Sequence, residues 1–176
     1  MNLDQLSIRP VDQADLPALE WEGEYLHFRR LYSEIYASAC QGKALMLAAE
    51  LPGEGIIGQV FIQLNSARKE LADGVDRAYI YGFRIKPAFR RQGIGRQMMA
   101  FVEHELRRRR FLRVTLNVAQ DNPDAHRLYK NLGYVTVGVD PGRWSYLDHH
   151  GNQHEVNEPA WRMEKLLQPV GESVKN

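Results

Sequence analysis

A short basic and glycine-rich segment has the composition of an anion-binding loop. It reads Arg90-Arg91-Gln92-Gly93-Ile94-Gly95-Arg96 and lies between a strand-like run and a helix-like run. Because Gly93 and Gly95 have no side chains, backbone N–H groups can approach a ligand closely. These groups are also the unpaired first donors of the next helix, at the positive end of its dipole. The segment therefore predicts a phosphate or pyrophosphate site, surrounded by the positive charges of Lys86, Arg90, Arg91 and Arg96.

Two familiar phosphate loops do not fit this segment. A P-loop ends in Gly-Lys-Ser or Gly-Lys-Thr, and the chain contains neither tripeptide. The dinucleotide-binding fingerprint has a third glycine, where this chain has Met98. The loop is thus distinct from both.

Composition predicts one soluble domain. The 176 residues carry a net charge of +1, which argues against a dedicated nucleic-acid binder. The single cysteine, Cys40, excludes an internal disulfide and fits a reducing compartment. Without a signal-like start or a long apolar run, we expect a cytoplasmic protein with no membrane contact. The expected domain spans residues 1–168, with 169–176 as a flexible tail.

Apolar periodicity and turn residues predict the elements that position the loop. In the first half we expect a strand, two helices, a strand hairpin and a surface loop. Their ranges are Leu6–Pro10, about Asp12–Glu22, about Phe28–Gly42, Ala44–Leu51 with Ile56–Leu64, and Asn65–Asp76.

The second half alternates strands and helices around the loop. Gly82 interrupts the strand Ala78–Lys86 and predicts a bulge or a close backbone approach. Together the elements indicate an α/β fold with a mixed sheet. After that strand we expect a helix from Ile94 to the Arg107–Arg110 run, the strand Leu112–Ala119, a helix from Asn122 to Gly133, the strand Tyr134–Val139, a hairpin excursion within Asp140–Glu158 and the last strand Ala160–Leu167.

The order of motifs resembles the GNAT superfamily of acyl-CoA-dependent N-acyltransferases. The matching residues are Phe83-x-Ile85-x-Pro87, then Arg90-x-x-Gly93-x-Gly95, then Asn122-x-x-Ala125-x-x-x-Tyr129-x-x-x-Gly133-Tyr134. This resemblance covers roughly residues 78–139. It implies a mixed, mostly antiparallel central sheet flanked by helices. It also implies that acetyl-CoA, the acyl donor, binds where two parallel strands splay apart, here Ala78–Lys86 and Leu112–Ala119.

The resemblance also implies how the acyl donor is held. The loop backbone would bind the pyrophosphate, and the strand backbone would pair with the pantetheine amides like an added strand. Asn122 would contact the CoA arm, cap its own helix, or do both. The implied cofactor-binding residues are Phe83, Arg84, Ile85, Arg90, Arg91, Gln92, Gly93, Ile94, Gly95, Arg96 and Asn122.

Tyr129 is the predicted catalytic residue. Its position on an apolar helical stripe would alone indicate a core tyrosine, and the matching motif implies the catalytic role instead. An amine that attacks a thioester releases a thiolate, and a positioned phenol can protonate that thiolate.

The general base departs from the family pattern. Tyr79 stands where the family often has a glutamate, and Asp76, Tyr81 or a chain of waters could substitute. An amine near its ordinary pKa of about 10 must lose a proton before it attacks. Cys40 is not favoured as a nucleophile, because no activating base lies near it in the sequence. A metal site at His149, His150 and His154 is not favoured either, because their spacing matches no ligand motif.

These observations predict an N-acetyltransferase in which a primary amine attacks acetyl-CoA directly in a ternary complex. The alternatives are a non-catalytic acyl-CoA-binding sensor or regulatory module, and a phosphate-binding module for another nucleotide. A polyamine, an antibiotic, an amino acid or a protein amine would each fit as the acceptor. A homodimer is one option, since final strands such as Ala160–Leu167 can pair between subunits.

Overall fold

A computed structural model describes residues 3–169, and nearly all of the predicted flexible tail lies outside them. Seven strands form one mixed sheet in the order β1-β2-β3-β4-β5-β9-β6, and β7 and β8 form a separate hairpin. All strand pairs in the sheet are antiparallel except β4 with β5. The strands are β1 Ser7–Pro10, β2 Ala44–Leu51, β3 Gly55–Gln63, β4 Arg77–Ile85, β5 Arg113–Ala119, β6 Val135–Asp140, β7 Arg143–Leu147, β8 Gln153–Asn157 and β9 Ala160–Leu166.

Helices cover both faces of the sheet. They are α1 Arg29–Cys40, α2 Ile94–Arg108 and α3 Pro123–Asn131. One core lies beneath α2 and α3 and includes Met98, Val102 and Tyr129. The second core lies beneath α1 and includes Phe28, Tyr32 and Ile35. The sheet thus separates two apolar layers, and the mixed, mostly antiparallel α/β architecture confirms the predicted fold class.

The first predicted helix is a 3-10 helix, Gln13–Glu20, rather than an α-helix ending near Glu22. Pro17 inside it lacks the N–H that a regular helix needs. Trp21 and Glu22 then adopt left-handed backbone angles, with φ of 46° and 56°. A short 3-10 turn, Leu26–Phe28, leads into α1.

Two further details differ from the expectations. The segment after β3 was expected on the surface, but Leu71 and Ala72 within it are buried at 5% and 0% exposure. The last strand was considered as one that can pair between subunits. Instead β9 lies between β5 and β6, so the free edge at this end of the sheet is β6.

No helix among the described residues is long and apolar enough to cross a membrane.

Candidate active site

The parallel pair β4 and β5 opens towards its carboxyl ends. Only four residue pairs join the two strands, from Arg77 with Arg113 to Ile80 with Leu116. Both strands continue beyond this point, to Ile85 and Ala119, without pairing with each other. The sheet therefore contains the gap that the sequence predicted between these two strands.

A β-bulge lies at the start of this gap. Gln59 pairs with Arg84 and Phe61 pairs with Tyr81, so β4 has one residue more than β3 across the same interval. Gly82, inside that interval, has a φ of +61°. A Cβ atom at Gly82 would lie 2.4 Å from Cδ2 of Phe61, so only glycine fits. This confirms the predicted bulge.

The bulge reverses the side-chain alternation along β4. Before it, Ala78 and Ile80 pack in the core beneath α2, and Tyr81 packs in the core beneath α1. After it, Phe83 and Ile85 pack in the core beneath α2. One extra residue in a strand moves every later side chain to the other face. Arg84 therefore points towards α1.

The predicted anion loop leads directly into α2. Gly93 is the residue before the helix and has a φ of +84°, with no atom within 4 Å of where its Cβ would lie. Gly95 lies in the first turn, and a Cβ there would stand 3.5 Å from side-chain atoms of Phe83 and Ile85. The N-terminal N–H groups of α2 thus face a space that no side chain of the loop fills.

The polar and basic side chains around the loop have different hydrogen-bond and ion-pair partners. Arg90 donates from Nε to the Ile85 carbonyl at 2.8 Å, and Gln92 donates to the Ala88 carbonyl at 3.3 Å. Lys86 forms an ion pair with Glu22 at 3.3 Å, on the α1 side. Within the described chain, Arg90, Arg91 and Arg96 are exposed and form no ion pair. These three arginines are therefore the unpaired positive charges beside the loop.

Tyr129 lies on the inner face of α3 and is 8% exposed. Its ring centroid is 6.5 Å from that of Phe83 and 5.8 Å from that of Tyr134, which it meets edge to face. Its hydroxyl makes no hydrogen bond to any residue in the range 3–169. Burial, and to a smaller extent the Tyr79 phenol, raise the pKa of Tyr129, so the group is protonated at neutral pH.

A buried ionic network holds α3 in place. Tyr134, just after α3, donates its hydroxyl proton to Glu103 of α2 at 3.0 Å. Lys165 of β9 donates to the same carboxylate at 2.9 Å and to the Leu132 carbonyl at 2.7 Å. These bonds tie the end of α3 to α2 and β9, and so position Tyr129.

Asn122 caps α3. Its side-chain oxygen accepts the N–H of Ala125 at 3.1 Å, and Pro123 follows at the first helical position. The capping half of the prediction is therefore confirmed. The side-chain amide N–H₂ of Asn122 donates to no residue in the described part of the chain.

A large aromatic cleft lies on the α1 side of the gap. Its volume is about 690 Å³. We call it the aromatic cleft after its aromatic lining residues, which come from α1, β3, β4 and β7 and from the turn before α1. They are Phe28, Tyr32, Phe61, Tyr79, Tyr81 and Trp144.

The sequence of this chain fits one protein family. The sequence model of the acetyltransferase (GNAT) family matches residues 11–134, well over half of the chain. The chain belongs to this family. The match confirms the resemblance. The protein is therefore an enzyme, an N-acetyltransferase that transfers acetyl groups to amines. A comparison of the sequence with curated proteins finds no significant match.

Solved structures share the fold of this acetyltransferase at low sequence identity. Ard1 from Thermoplasma volcanium superposes with a TM-score of 0.71 at 19% identity, over 93% of this chain and 99% of that one. The ribosomal-protein-S18-alanine N-acetyltransferase from Escherichia coli gives 0.69 at 20%, over 97% and 99%. The spermidine/spermine N-acetyltransferase SpeG from Vibrio cholerae gives 0.68 at 19%, over 93% of each chain.

None of the three side chains considered as the general base is well suited to accept the proton of the amine. Asp76 precedes β4 at its paired end, 3.8 Å from Arg113, and does not line the aromatic cleft. Burial raises the pKa of Tyr81, and it raises that of Tyr79 to about 12. Neutral phenols of this kind are poor proton acceptors at pH 7.

Asp140 is a carboxylate of the aromatic cleft that the sequence did not single out. Arg68 donates to it at 2.8 Å, Arg162 also pairs with it, and the Gly142 N–H donates at 2.8 Å. Burial opposes ionisation, but these three partners lower the pKa of Asp140 well below its ordinary value. The group is a permanent, neutralised anion and no proton acceptor. Its partners come from distant segments, so no local pattern predicts it.

The histidines near the second hairpin do not assemble a metal site. His154 lies 2.7 Å from the carboxylate of Asp148, across the turn between β7 and β8. Among residues 3–169, no group of three or more histidine, cysteine, aspartate or glutamate side chains could hold a metal ion.

Proposed function

We propose that this acetyltransferase takes its acetyl group from acetyl-CoA and passes it to a primary amine by direct attack in a ternary complex. The proposal rests mainly on one arrangement. The gap between β4 and β5 opens beside the loop that precedes α2, and the aromatic cleft lies on the opposite face of the sheet. The donor and the acceptor can thus approach the gap from two sides of one sheet.

In this proposal the loop and the strand hold the donor. Backbone N–H groups of Gln92–Arg96 bind the pyrophosphate, assisted by the exposed Arg90, Arg91 and Arg96. The unpaired edge of β4 after Gly82 offers backbone groups to the pantetheine arm, and one N–H there polarises the thioester carbonyl. The free amide N–H₂ of Asn122 is available to the same arm.

Tyr129 acts as the general acid. The protonated amine first gives one proton to water in the aromatic cleft, and the free amine nitrogen then bonds to the thioester carbon. The nitrogen of the resulting tetrahedral intermediate gives a second proton to water. When the carbon–sulfur bond breaks, Tyr129 gives its proton to the departing thiolate and later regains one from solvent. A raised pKa keeps Tyr129 protonated until that step. The water takes the role of base, since Asp76 lies elsewhere and Tyr79, Tyr81 and Asp140 are poor acceptors.

A thiol-release assay with acetyl-CoA and a panel of amines tests the proposal. We expect amine-dependent CoA release, with one acetyl amide formed for each thiol. Binding of acetyl-CoA without turnover of any amine would favour the alternative of a sensor. No measurable acetyl-CoA binding by calorimetry would contradict the donor assignment. A cytoplasmic location and a homodimer remain predictions from the sequence.

A further inference from the structure

A positive charge without an acidic partner lies in the aromatic cleft. Arg84 follows the bulge on β4, lines the cleft and is half-buried. Nη1 donates to the Tyr32 hydroxyl at 3.0 Å. Its guanidinium carbon lies 4.1 Å from the ring centroid of Tyr25 and 5.3 Å from that of Phe28. Within residues 3–169 no carboxylate pairs with Arg84, and its Nε and Nη2 make no hydrogen bond.

Two acids of the neighbouring segment, Glu20 and Glu22, form ion pairs with other residues, and a third, Glu24, lies beside Tyr25. Glu20 accepts two hydrogen bonds from Arg29, at 2.7 and 2.9 Å, and Glu22 pairs with Lys86. Burial, then the charge of Arg84, lower the pKa of His27, which keeps that ring neutral at pH 7. Among residues 3–169, Arg84 thus forms no ion pair on the face where an acceptor would enter.

This charge does not serve the CoA phosphates. The anion loop joins β4 to α2, and the side chains that face it from β4 are Phe83 and Ile85. Because the bulge reverses the alternation, Arg84 points to the opposite face of the sheet. The two sites are separated by the sheet itself.

We propose that Arg84 binds a carboxylate of the acceptor, so that the substrate is an amine that also carries a carboxylate, as an amino acid or a short peptide does. This inference rests on the proposed acetyl transfer to an amine. With Nη1 held by Tyr32, the Nε and Nη2 edge presents two parallel N–H donors, which match the two oxygens of a carboxylate. The rings of Tyr25 and Phe28 lie against the guanidinium group and help to fix its position.

The other charges of the cleft do not oppose an anionic acceptor. Its buried carboxylate, Asp140, is already neutralised by Arg68 and Arg162 and has little negative field to offer an ammonium group. Exposed side chains of both signs also line the cleft, the cations Lys43 and Arg143 and the acids Glu34 and Glu158, and their charges offset one another. A polyamine would meet Arg84 with like charge, which disfavours that class of acceptor.

The test compares matched ligands that differ only in the carboxylate. The probes are N-acetylglycine, N-acetylleucine and N-acetylphenylalanine, which are the products of the expected reaction, each beside its carboxamide. Calorimetry in the presence of CoA measures their binding to the wild-type enzyme, and no turnover is needed. We expect at least one acid to bind about 10- to 100-fold more tightly than its amide, as a hydrogen-bonded charge pair in a partly buried site allows.

Variants separate binding from packing. In Arg84→Gln the acid-to-amide ratio should fall to near 1, while Arg84→Lys should retain part of it. Arg110→Gln is the matched control and should keep the ratio within about 3-fold, because this exposed arginine lies just beyond the end of α2 and does not line the cleft. If Arg84 only packs against Tyr25 and Phe28, Arg84→Gln would weaken acid and amide equally.

The outcomes distinguish this inference from the proposed function. Equal binding of every acid and its amide to the wild-type enzyme would overturn the carboxylate assignment, even if amines were acetylated. A clear acid preference together with no acetyl transfer to the corresponding amines would contradict the proposed function instead.

Discussion

At the scale of single residues, Tyr129 carries the chemical prediction. Replacing it with Phe removes only a hydroxyl, which has no hydrogen-bond partner in the described chain. We therefore expect the free energy of unfolding to change by about 1 kcal/mol or less. Turnover should fall by about 10²–10⁴, the usual contribution of a positioned acid. Thermal melts and the thiol-release assay measure both quantities, with acetyl-CoA affinity as the control. Normal turnover in folded Tyr129→Phe would contradict the general-acid role.

Gly82 carries a structural prediction at the same scale. A Cβ there would overlap the ring of Phe61, at 2.4 Å, in a backbone conformation with φ of +61°. We expect Gly82→Ala to lower the free energy of unfolding by about 1–3 kcal/mol through strain and displaced packing. Urea unfolding measures it. Adding Phe61→Leu should restore part of the loss, and a Gly82→Ala protein as stable as wild type would contradict the bulge geometry.

Sequence patterns predicted the site at this scale only in part. The motif spacing indicated Gly82, Gly93 and Tyr129, because each is tied to a local backbone or helical pattern. The direction of the Arg84 side chain did not follow, since it depends on how many residues the bulge adds to β4. The role of Asp140 could not be predicted either, because its partners Arg68 and Arg162 come from distant segments.

At the scale of elements, the loop before α2 gives a prediction with a close control. Gly93 and Gly53 have nearly the same φ, +84° and +82°, and each has open space where a Cβ would lie. Gly53 lies in the turn between β2 and β3, away from the gap. Both valine variants should therefore lose similar stability, roughly 1–2 kcal/mol.

Only one of the two variants should lose affinity for acetyl-CoA. A side chain at position 93 would occupy the space that a pyrophosphate needs, so Gly93→Val should weaken acetyl-CoA binding by at least about 100-fold. Gly53→Val should bind acetyl-CoA as the wild type does. Calorimetry gives both affinities, and equal binding by the two variants would contradict the loop assignment.

Elements with strong periodicity were predicted to within a residue or two. The helices α1 and α2 and the hairpin of β2 and β3 show this, because their apolar spacing and turn residues agree. The 3-10 helix Gln13–Glu20 was missed as a type, since 3-10 and α helices share much of their apolar spacing. The burial of Leu71 and Ala72 was missed because tertiary packing, and not a local period, fixes it.

At the scale of the whole molecule, several ionised aspartates stabilise the fold. Three backbone N–H groups donate to Asp73 and lower its pKa to about 2 despite its burial. The partners of Asp140 act in the same direction. A depressed folded-state pKa contributes stability that is present above about pH 4, the unfolded value, and is lost as pH falls towards the folded value.

The fold should therefore be less stable at acid pH than at neutral pH. We expect the free energy of unfolding to decrease slightly from pH 7 to about pH 5, because the lowered pKa of His27 favours proton binding by the unfolded chain, and to decrease more steeply below about pH 4. Urea titrations across this range measure it. Asp140→Asn should show a shallower decrease because it has lost one of these groups. A stability that rises as pH falls from 5 to 3 would contradict the assignment.

The opening between β4 and β5 also has a consequence for how the backbone exchanges its protons. The edge of Tyr81–Ile85 that faces β5 has no strand partner, so its amide hydrogens should exchange with deuterium faster than those of Arg77–Ile80. A donor that lies along this edge as an added strand should slow the exchange of just these amides. Mass spectrometry of peptides from β4, with and without acetyl-CoA, would then show that the donor completes the sheet.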